Sequence, residues 1–368
     1  MRSFANPPSD FTPPFCPNPS CRHHRGLTDG WRLKRAGFFR RLVQPHRIQR
    51  FTCLHCRRSF SSQTFSTSYW LKRPDLPARL FMRAVGGMAN RQIARDLRIA
   101  PATVDRQLAR LGRHCLLLHT RLCGQARPRG PLVLDGFESF EFSQYHPFQH
   151  HLLVEAQSSF FWHFTDSPLR RKGRMTDAQK RRRQRLETEL GRPDPKAVEK
   201  DVTSLLQTVL DQECAVTLRS DDHKAYPRAL RNLECQFHHQ VTPSRQRRDA
   251  DNPLFEINLL DLLIRHSQAN HRRQTIAWSK RRQSSAERLA VLLVWRNYVK
   301  CRWEKRCRQS PAMLKGMLAS RLTVREVLKE RLFRTQIDLP QRWAEYYRRA
   351  VETLAVPNGR RHELTYAF

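Results

Sequence analysis

Negative charge is scarce in this chain: 33 Asp and Glu stand against 68 Lys and Arg in 368 residues, a formal net charge of +35. Such an excess strains any compact state by self-repulsion, and bound polyanion or salt relieves it, so nucleic acid is the first partner to consider. Long apolar runs are also missing. The longest, Leu289 to Trp295, is far too short to span a bilayer, and Met1 to Asp10 lacks the charged-then-apolar layout of a secretory leader. A soluble protein is expected, cytoplasmic and nucleoid-associated in a bacterial type of cell. A disordered basic tail is excluded, because 39% of the residues are hydrophobic and can bury real cores. The length suggests two or three domains.

Cysteine is sparse outside two close pairs, Cys16/Cys21 and Cys53/Cys56. Each pair sits on a short turn that lets both sulfurs face one ion, and a metal site explains this better than a disulfide frame. Trp31, Phe38, Phe39 and Phe51 punctuate the basic stretch between the pairs, as short strands of a zinc ribbon would. His23, His24, His46 and His55 are spare ligand candidates. Beyond Lys72-Arg73-Pro74, apolar positions from Leu80 to Leu108 recur at helical spacing with two interruptions, which predicts three helices. The second covers Arg91–Leu97, a tight turn spans 98–101, and the third starts near Pro101, which suits a first turn. Thr103, Asp105, Arg106, Gln107 and Arg110 fall on its outer face. This is a helix-turn-helix pattern, with Thr103, Arg106, Gln107 and Arg110 as the DNA-binding candidates; Arg106 and Gln107 could reach base edges in a major groove.

From residue 131 the pattern changes to short strands. Pro131–Asp135, His151–Ala156 and Ser159–Phe164 read as three antiparallel strands, followed by a strongly basic insert up to Lys196 that must be solvated or lie on phosphates. A helix over Ala197–Leu210, a strand running into Asp221, a short helix, another strand and a long helix from about Asn252-Pro253 follow. Asp135 and Asp221 thus end two strands and are expected to lie close together. Carboxylates held there repel one another unless divalent cations neutralise them. Magnesium prefers such oxygen ligands, and two ions can activate a water or a 3′-hydroxyl and stabilise the leaving oxygen of a phosphodiester.

The layout resembles the DDE-type insertion-sequence transposases. The matching stretches are the two cysteine pairs and helix trio, Leu134-Asp135-Gly136, and Asp221 with Tyr226 five residues on. Others are Asn258 through Asp261 to Arg265, Arg273-Gln274-Thr275, and Glu287-Arg288 through Tyr298. The resemblance implies an α+β multidomain protein. Its parts are a zinc ribbon (1–72), a helix-turn-helix domain (73–125), a ribonuclease H-like mixed-sheet catalytic domain (126–300, with the basic insert at 166–196) and a C-terminal helical region (301–368). It implies a transposase that binds the terminal repeats of an insertion sequence and catalyses metal-dependent DNA cleavage and strand transfer. Structural Zn²⁺, two Mg²⁺ or Mn²⁺ ions, double-stranded DNA from element ends and target, and a homodimer or higher assembly go with that reading.

The resemblance leaves the third acid open. Asp261, inside the long helix and four residues before Arg265, is preferred as the partner of Asp135 and Asp221. Glu256 has a spacing that suits many such enzymes but stands in a helix's first turn, where Glu is simply a good dipole partner. Glu287 reads otherwise as a surface ion pair, and the usual Glu of the Arg-x-Thr tripeptide is Gln274 here. Asp222 is expected to cap the following helix, and Asp201, Asp211 and Asp249 to be solvated. Lys280, Arg281, Arg282, Arg288 and Arg296 are expected to form a phosphate-seeking flank on a helix whose other flank is apolar. Trp278, Trp295 and Trp303 are expected as core anchors. Two rival functions share parts of this pattern: a non-catalytic DNA-binding regulator, and a metal-dependent nuclease that cuts without joining.

Overall fold

In the computed structural model the described residues are 11–25, 29–210, 215–305 and 308–356. Asp211, expected to be solvated, lies outside them. The chain opens with a three-stranded antiparallel sheet, β1 (Leu33–Arg40), β2 (Arg47–Cys53) and β3 (Ser59–Ser61), in that order. Three helices follow: α1 (Leu76–Val85), α2 (Asn90–Leu97) and α3 (Pro101–Cys123). Arg98 closes α2 in the left-handed region (φ 51°), and Pro101 occupies the first turn of α3, so the turn of 98–100 is held at both ends.

Next come β4 (Leu132–Phe140), β5 (Pro147–Glu155) and β6 (Phe161–Pro168), then α4 (Asp177–Leu190), α5 (Ala197–Val209), β7 (Ala215–Ser220), α6 (Ala225–Leu230), β8 (Gln236–Val241) and α7 (Phe255–Ser267). The five strands form one mixed sheet in the order β6-β5-β4-β7-β8. The β4·β5 and β5·β6 pairs are antiparallel, as expected, while β4·β7 and β7·β8 are parallel. Strand β5 is buried almost throughout and β8 is the half-exposed edge. Helix α8 (Arg282–Val294) continues through a π turn at Trp295–Val299, and three short helices complete the described chain: α9 (Pro311–Leu314), α10 (Val324–Val327) and α11 (Gln341–Arg348).

One hydrophobic core joins α1–α3, both faces of the five-stranded sheet, α8 and α11. Helices α3 and α8 cross closely: a Cβ on Gly112 would lie 2.6 Å from the carbonyl oxygen of Glu287. Every residue of α8 from Ser285 to Val294 is buried, and so are Arg282, Gln283 and Arg296. Of the expected basic flank, Lys280 is exposed and Arg281 half-exposed just ahead of α8, whereas Arg282, Arg288 and Arg296 are buried and offer no surface. Arg282 pairs with the fully buried Asp166 at 3.0 Å, and Arg288 donates to Asn90 and to the carbonyls of Ala84 and Met88. A helix wedged between other helices and a sheet must satisfy its cations internally. Trp278, Trp295 and Trp303 are only half-buried; the buried indoles are Trp162 and Trp343. Among the described residues, no helix is long and apolar enough to cross a membrane.

The last described segment returns to the first. Arg331 donates its backbone N–H to Phe65 O (2.9 Å) and its guanidinium to Thr64 O (3.0 Å), Thr67 Oγ1 donates to Leu328 O (2.8 Å), and His24 Nε2 meets Thr335 Oγ1 at 2.6 Å. Phe333 packs against Phe65 and Phe15.

Candidate metal centres

The two cysteine turns fold onto one point. Asn18 O accepts from the Cys21 N–H, Cys53 O accepts from the N–H of Arg57, and Arg57 takes a left-handed φ of 62° to tighten its knuckle. The ligand atoms of Cys16, Cys21, Cys53 and Cys56 all lie within 4.8 Å of one another, with Cys16–Cys56 at 3.6 Å and Cys21–Cys53 at 4.0 Å. Metal–sulfur bonds of about 2.3 Å in a tetrahedron require sulfurs about 3.8 Å apart, so this quartet can bind zinc. Burial raises the Cys53 thiol, but the N–H groups of Cys56 and His55 and the Trp31 indole (Nε1 to Sγ 3.3 Å) outweigh it and bring Cys53 down to about 6. Burial, and then the charge of the neighbouring sulfurs, raise Cys16 and Cys21, so the crowded quartet gives up its remaining protons to a bound cation. None of the spare histidines joins the group. His24 is taken up by Cys16 O (2.7 Å) and Thr335, and His46 by Arg41 O (3.2 Å).

On α3, Arg106 is exposed and Thr103 half-exposed, whereas Gln107 and Arg110, one turn further on, line a half-enclosed cavity. Asp105 accepts from Asn90 Nδ2 at 2.5 Å, and Asn90 in turn accepts from Arg288, which fixes the start of α3 to α2 and α8.

The second cluster is acidic. Strand β4 does not stop at Asp135, as the apolar run suggested. It continues to Phe140 because β5 pairs with it along its full length, while the parallel partner β7 ends at Ser220, opposite Leu134. Asp135 and Asp221 therefore both emerge where that ladder ends. Asp261 comes from α7, which packs on β4 and β5. Loss of water raises the Asp135 carboxyl to about 6 and the charge of Asp221 adds to it; the same causes, with Asp135 as the neighbour, bring Asp261 to about 8. The Tyr226 hydroxyl, buried, is pushed up by desolvation and then by the charges of all three aspartates. One Asp261 oxygen, Oδ1, is buried without a hydrogen-bond partner. Asp135 thus feels both other acids, and all three act on Tyr226, but their oxygens do not close as the cysteine sulfurs do: the quartet is the one such group within 4.8 Å among the described residues.

The other acids lie elsewhere. Glu256 accepts from Ser159 Oγ and from Arg302 Nη2 (2.7 Å), and Glu287 is buried against Gln283 (3.0 Å) and Arg349 (2.9 Å) instead of forming a surface pair with Arg288. Neither figures among the charges acting on Asp135 or Asp261. Asp222 does not cap α6; it accepts weakly from Ser244 (3.4 Å), and Asp221 Oδ1 takes the His223 N–H at 3.1 Å. Asp201 is half-buried, not solvated: Ser167 donates to it at 2.6 Å and burial raises it to about 6. Asp249 is half-exposed beside Arg247 (3.7 Å).

Two neighbours of the acids, Gln149 and Arg248, were not expected, while Arg265 belongs to the Asp261 stretch already singled out. Gln149 reaches across Gly136, where a Cβ would fall 1.4 Å from its Nε2, to hydrogen-bond Tyr226. Arg248 and Arg265 bring opposing charge to Asp261, and Arg248 also to Asp135. The glycine after Asp135 and the basic run 245–248 were the available signals; nothing marked Gln149.

No family model matches this chain, and no curated protein matches it. Among solved structures, it is similar to a chain in a structure described as a simian T-cell lymphotropic virus intasome in complex with PP2A regulatory subunit B56 gamma. The identity is 14% and the TM-score 0.26, over 51% of this chain and 55% of the other. The match thus spans about half the length of that chain, and a likeness this slight carries no argument about fold or function.

Proposed function

We propose that the protein is a DNA-cutting and DNA-joining enzyme of the DDE transposase type. The observation that carries this reading is the convergence of Asp135, Asp221 and Asp261, from β4, the end of β7 and α7, around the buried Tyr226. The five-stranded mixed sheet beneath them is read as ribonuclease H-like. The division into 1–72, 73–125, 126–300 and 301–368 is kept as a division of labour, since the core itself is shared.

The donor set fits divalent cations: three oxygen-only side chains, with Asp135 acting on Asp261 and acted on by Asp221, and one sealed and unpartnered oxygen on Asp261. Asp135, Asp221 and Asp261 would hold two Mg²⁺ or Mn²⁺ ions, which when bound supply activation of an oxygen nucleophile and stabilisation of the leaving oxygen. The chain's own groups orient these acids. The Gly136 N–H donates to Asp135 Oδ1 at 2.6 Å, the His223 N–H holds Asp221, and Gln149 with Tyr226 walls the floor. Arg248 and Arg265 lie at the edge, where a phosphodiester would need cations. In this reading zinc on the four cysteines shapes 1–72, α2–α3 act as a helix-turn-helix presenting Thr103 and Arg106 to element ends, and an assembly of at least two copies holds two ends.

A strand-transfer assay with labelled duplexes in Mg²⁺ tests this. Asp135→Ala, Asp221→Ala and Asp261→Ala should each reduce joining at least 100-fold while duplex binding persists, and Glu256→Ala should keep it. Joining retained by Asp135→Ala overturns the enzymatic reading in favour of a regulator; cutting without joining by the wild type favours a nuclease.

A further inference from the structure

Beneath α3, away from the acids, a cavity of about 130 Å³ lies between that helix, the loop at Thr67 and the returning segment at Leu328–Leu332. Three guanidinium groups line it, Arg110, Arg113 and Arg331, and no carboxylate does. They are close enough to feel one another: Arg113 acts on Arg110, and both act on Arg331. Aromatic rings hold two of them, with Arg113 over Tyr347 at 5.9 Å and Arg331 between Tyr69 (4.7 Å) and Phe333 (4.9 Å). Two acids act on the lining, Glu287 on Arg113 and Glu330 on His114, and both are already engaged, by Arg349 and Gln283 and by Arg121. Gln107 adds a buried amide oxygen with no hydrogen-bond partner; turned over, it offers an N–H₂ donor to the same space.

Cations gathered in a half-enclosed site with leucine walls are costly unless something negative joins them. Guanidinium forks match phosphate oxygens two at a time. The volume is several waters' worth and well below that of an ordinary small-molecule pocket, which limits the occupant to the size of a phosphate or pyrophosphate group. We propose that this cavity is a binding site for a phosphate group, gripped by Arg110, Arg113, Arg331 and Gln107, that clamps the returning C-terminal segment onto α3. The group comes from a free anion or from a DNA strand, and the site is independent of the metal chemistry.

The test is thermal unfolding of the full chain with sodium pyrophosphate, against sodium chloride at equal ionic strength, and with a short duplex. Wild type should gain several degrees, saturably, with pyrophosphate, and the gain should vanish in Arg110→Gln yet persist in the exposed-surface control Arg325→Gln. If only the duplex gives a gain that depends on Arg110 and not on Arg325, the phosphate is a strand's. Equal gains in wild type and Arg110→Gln, or no gain beyond chloride with either probe, overturn the proposal. Should Arg110→Gln not fold, Arg113→Gln takes its place. Should both fail, calorimetric titration of wild type with pyrophosphate decides, and absence of saturable heat overturns it.

Discussion

Single residues here carry opposite pH demands. His119, His150 and His151 are buried, and loss of water lowers them to about 4, 4 and 3, whereas free histidines titrate near 6.5. Between those values the unfolded chain binds more protons than the folded one, so stability falls as pH drops from about 6.5 toward 4. Each ring contributes at most about 1.4 kcal/mol per pH unit to that slope, and the raised Asp135 and Asp201 offset part of it by protonating in the folded state. Urea midpoints measured from pH 7.5 to 4.5 should fall steeply, and less so for His119→Gln; identical slopes would contradict the burial argument. Asp261 gives the complementary case. Asp261 must take up a proton to be buried beside Asp135, a cost the neutral amide of Asp261→Asn does not carry, so its metal-free Tm at neutral pH should rise by a few degrees; if the proposed chemistry holds, joining is lost at the same time, a stability–activity trade-off readable by calorimetry. Strand ends and the family resemblance pointed to Asp135, Asp221 and Asp261, and their charges do act on one another through Asp135 and on Tyr226. Neither signal could place Gln149, because a long side chain crossing a glycine on the next strand leaves no periodic trace.

At the level of elements, most helices and strands were legible because their apolar periods are clean: α2, α3, α5 and the strands β4–β8 occur close to where the pattern put them. The errors share one cause. Asp135 looked like a strand's end because apolar residues stop there, but β5 supplies hydrogen bonds for five residues more. Helix α8 looked amphipathic because arginines punctuate it, but its arginines are spent on Asp166 and on backbone carbonyls of α1 and its following turn. Local sequence shows what a residue is, and packing decides what it meets. The α3–α8 crossing offers a sharp test. Gly112→Ala drives a methyl into backbone atoms of α8 at 2.6–2.8 Å, contacts that cannot rotate away. A loss of roughly 1–3 kcal/mol in chemical denaturation is expected; an unchanged midpoint would mean the helices separate at no cost.

Across the whole molecule, the charge of +35 is spread over exposed surfaces such as α4, none of whose residues is buried. DNA affinity should therefore fall linearly in log–log salt plots, and Arg182→Gln should reduce the slope by about 1 if that arginine lies on a phosphate. The cysteine cluster packs separately from the main core. Stripping zinc with a chelator should thus split a low-temperature transition from the main one without abolishing it, whereas a single undivided loss of all structure would speak against separate packing. The returning segment has a consequence in time as well as in space. Because 328–336 supplies the lid over the basic cavity and the strap around His24 and Phe65, a nascent chain still on the ribosome leaves both uncovered. The cysteine region and α3 are joined only after residue 336 has been made, so fragments ending before 328 should lose the cooperative unfolding of these two parts.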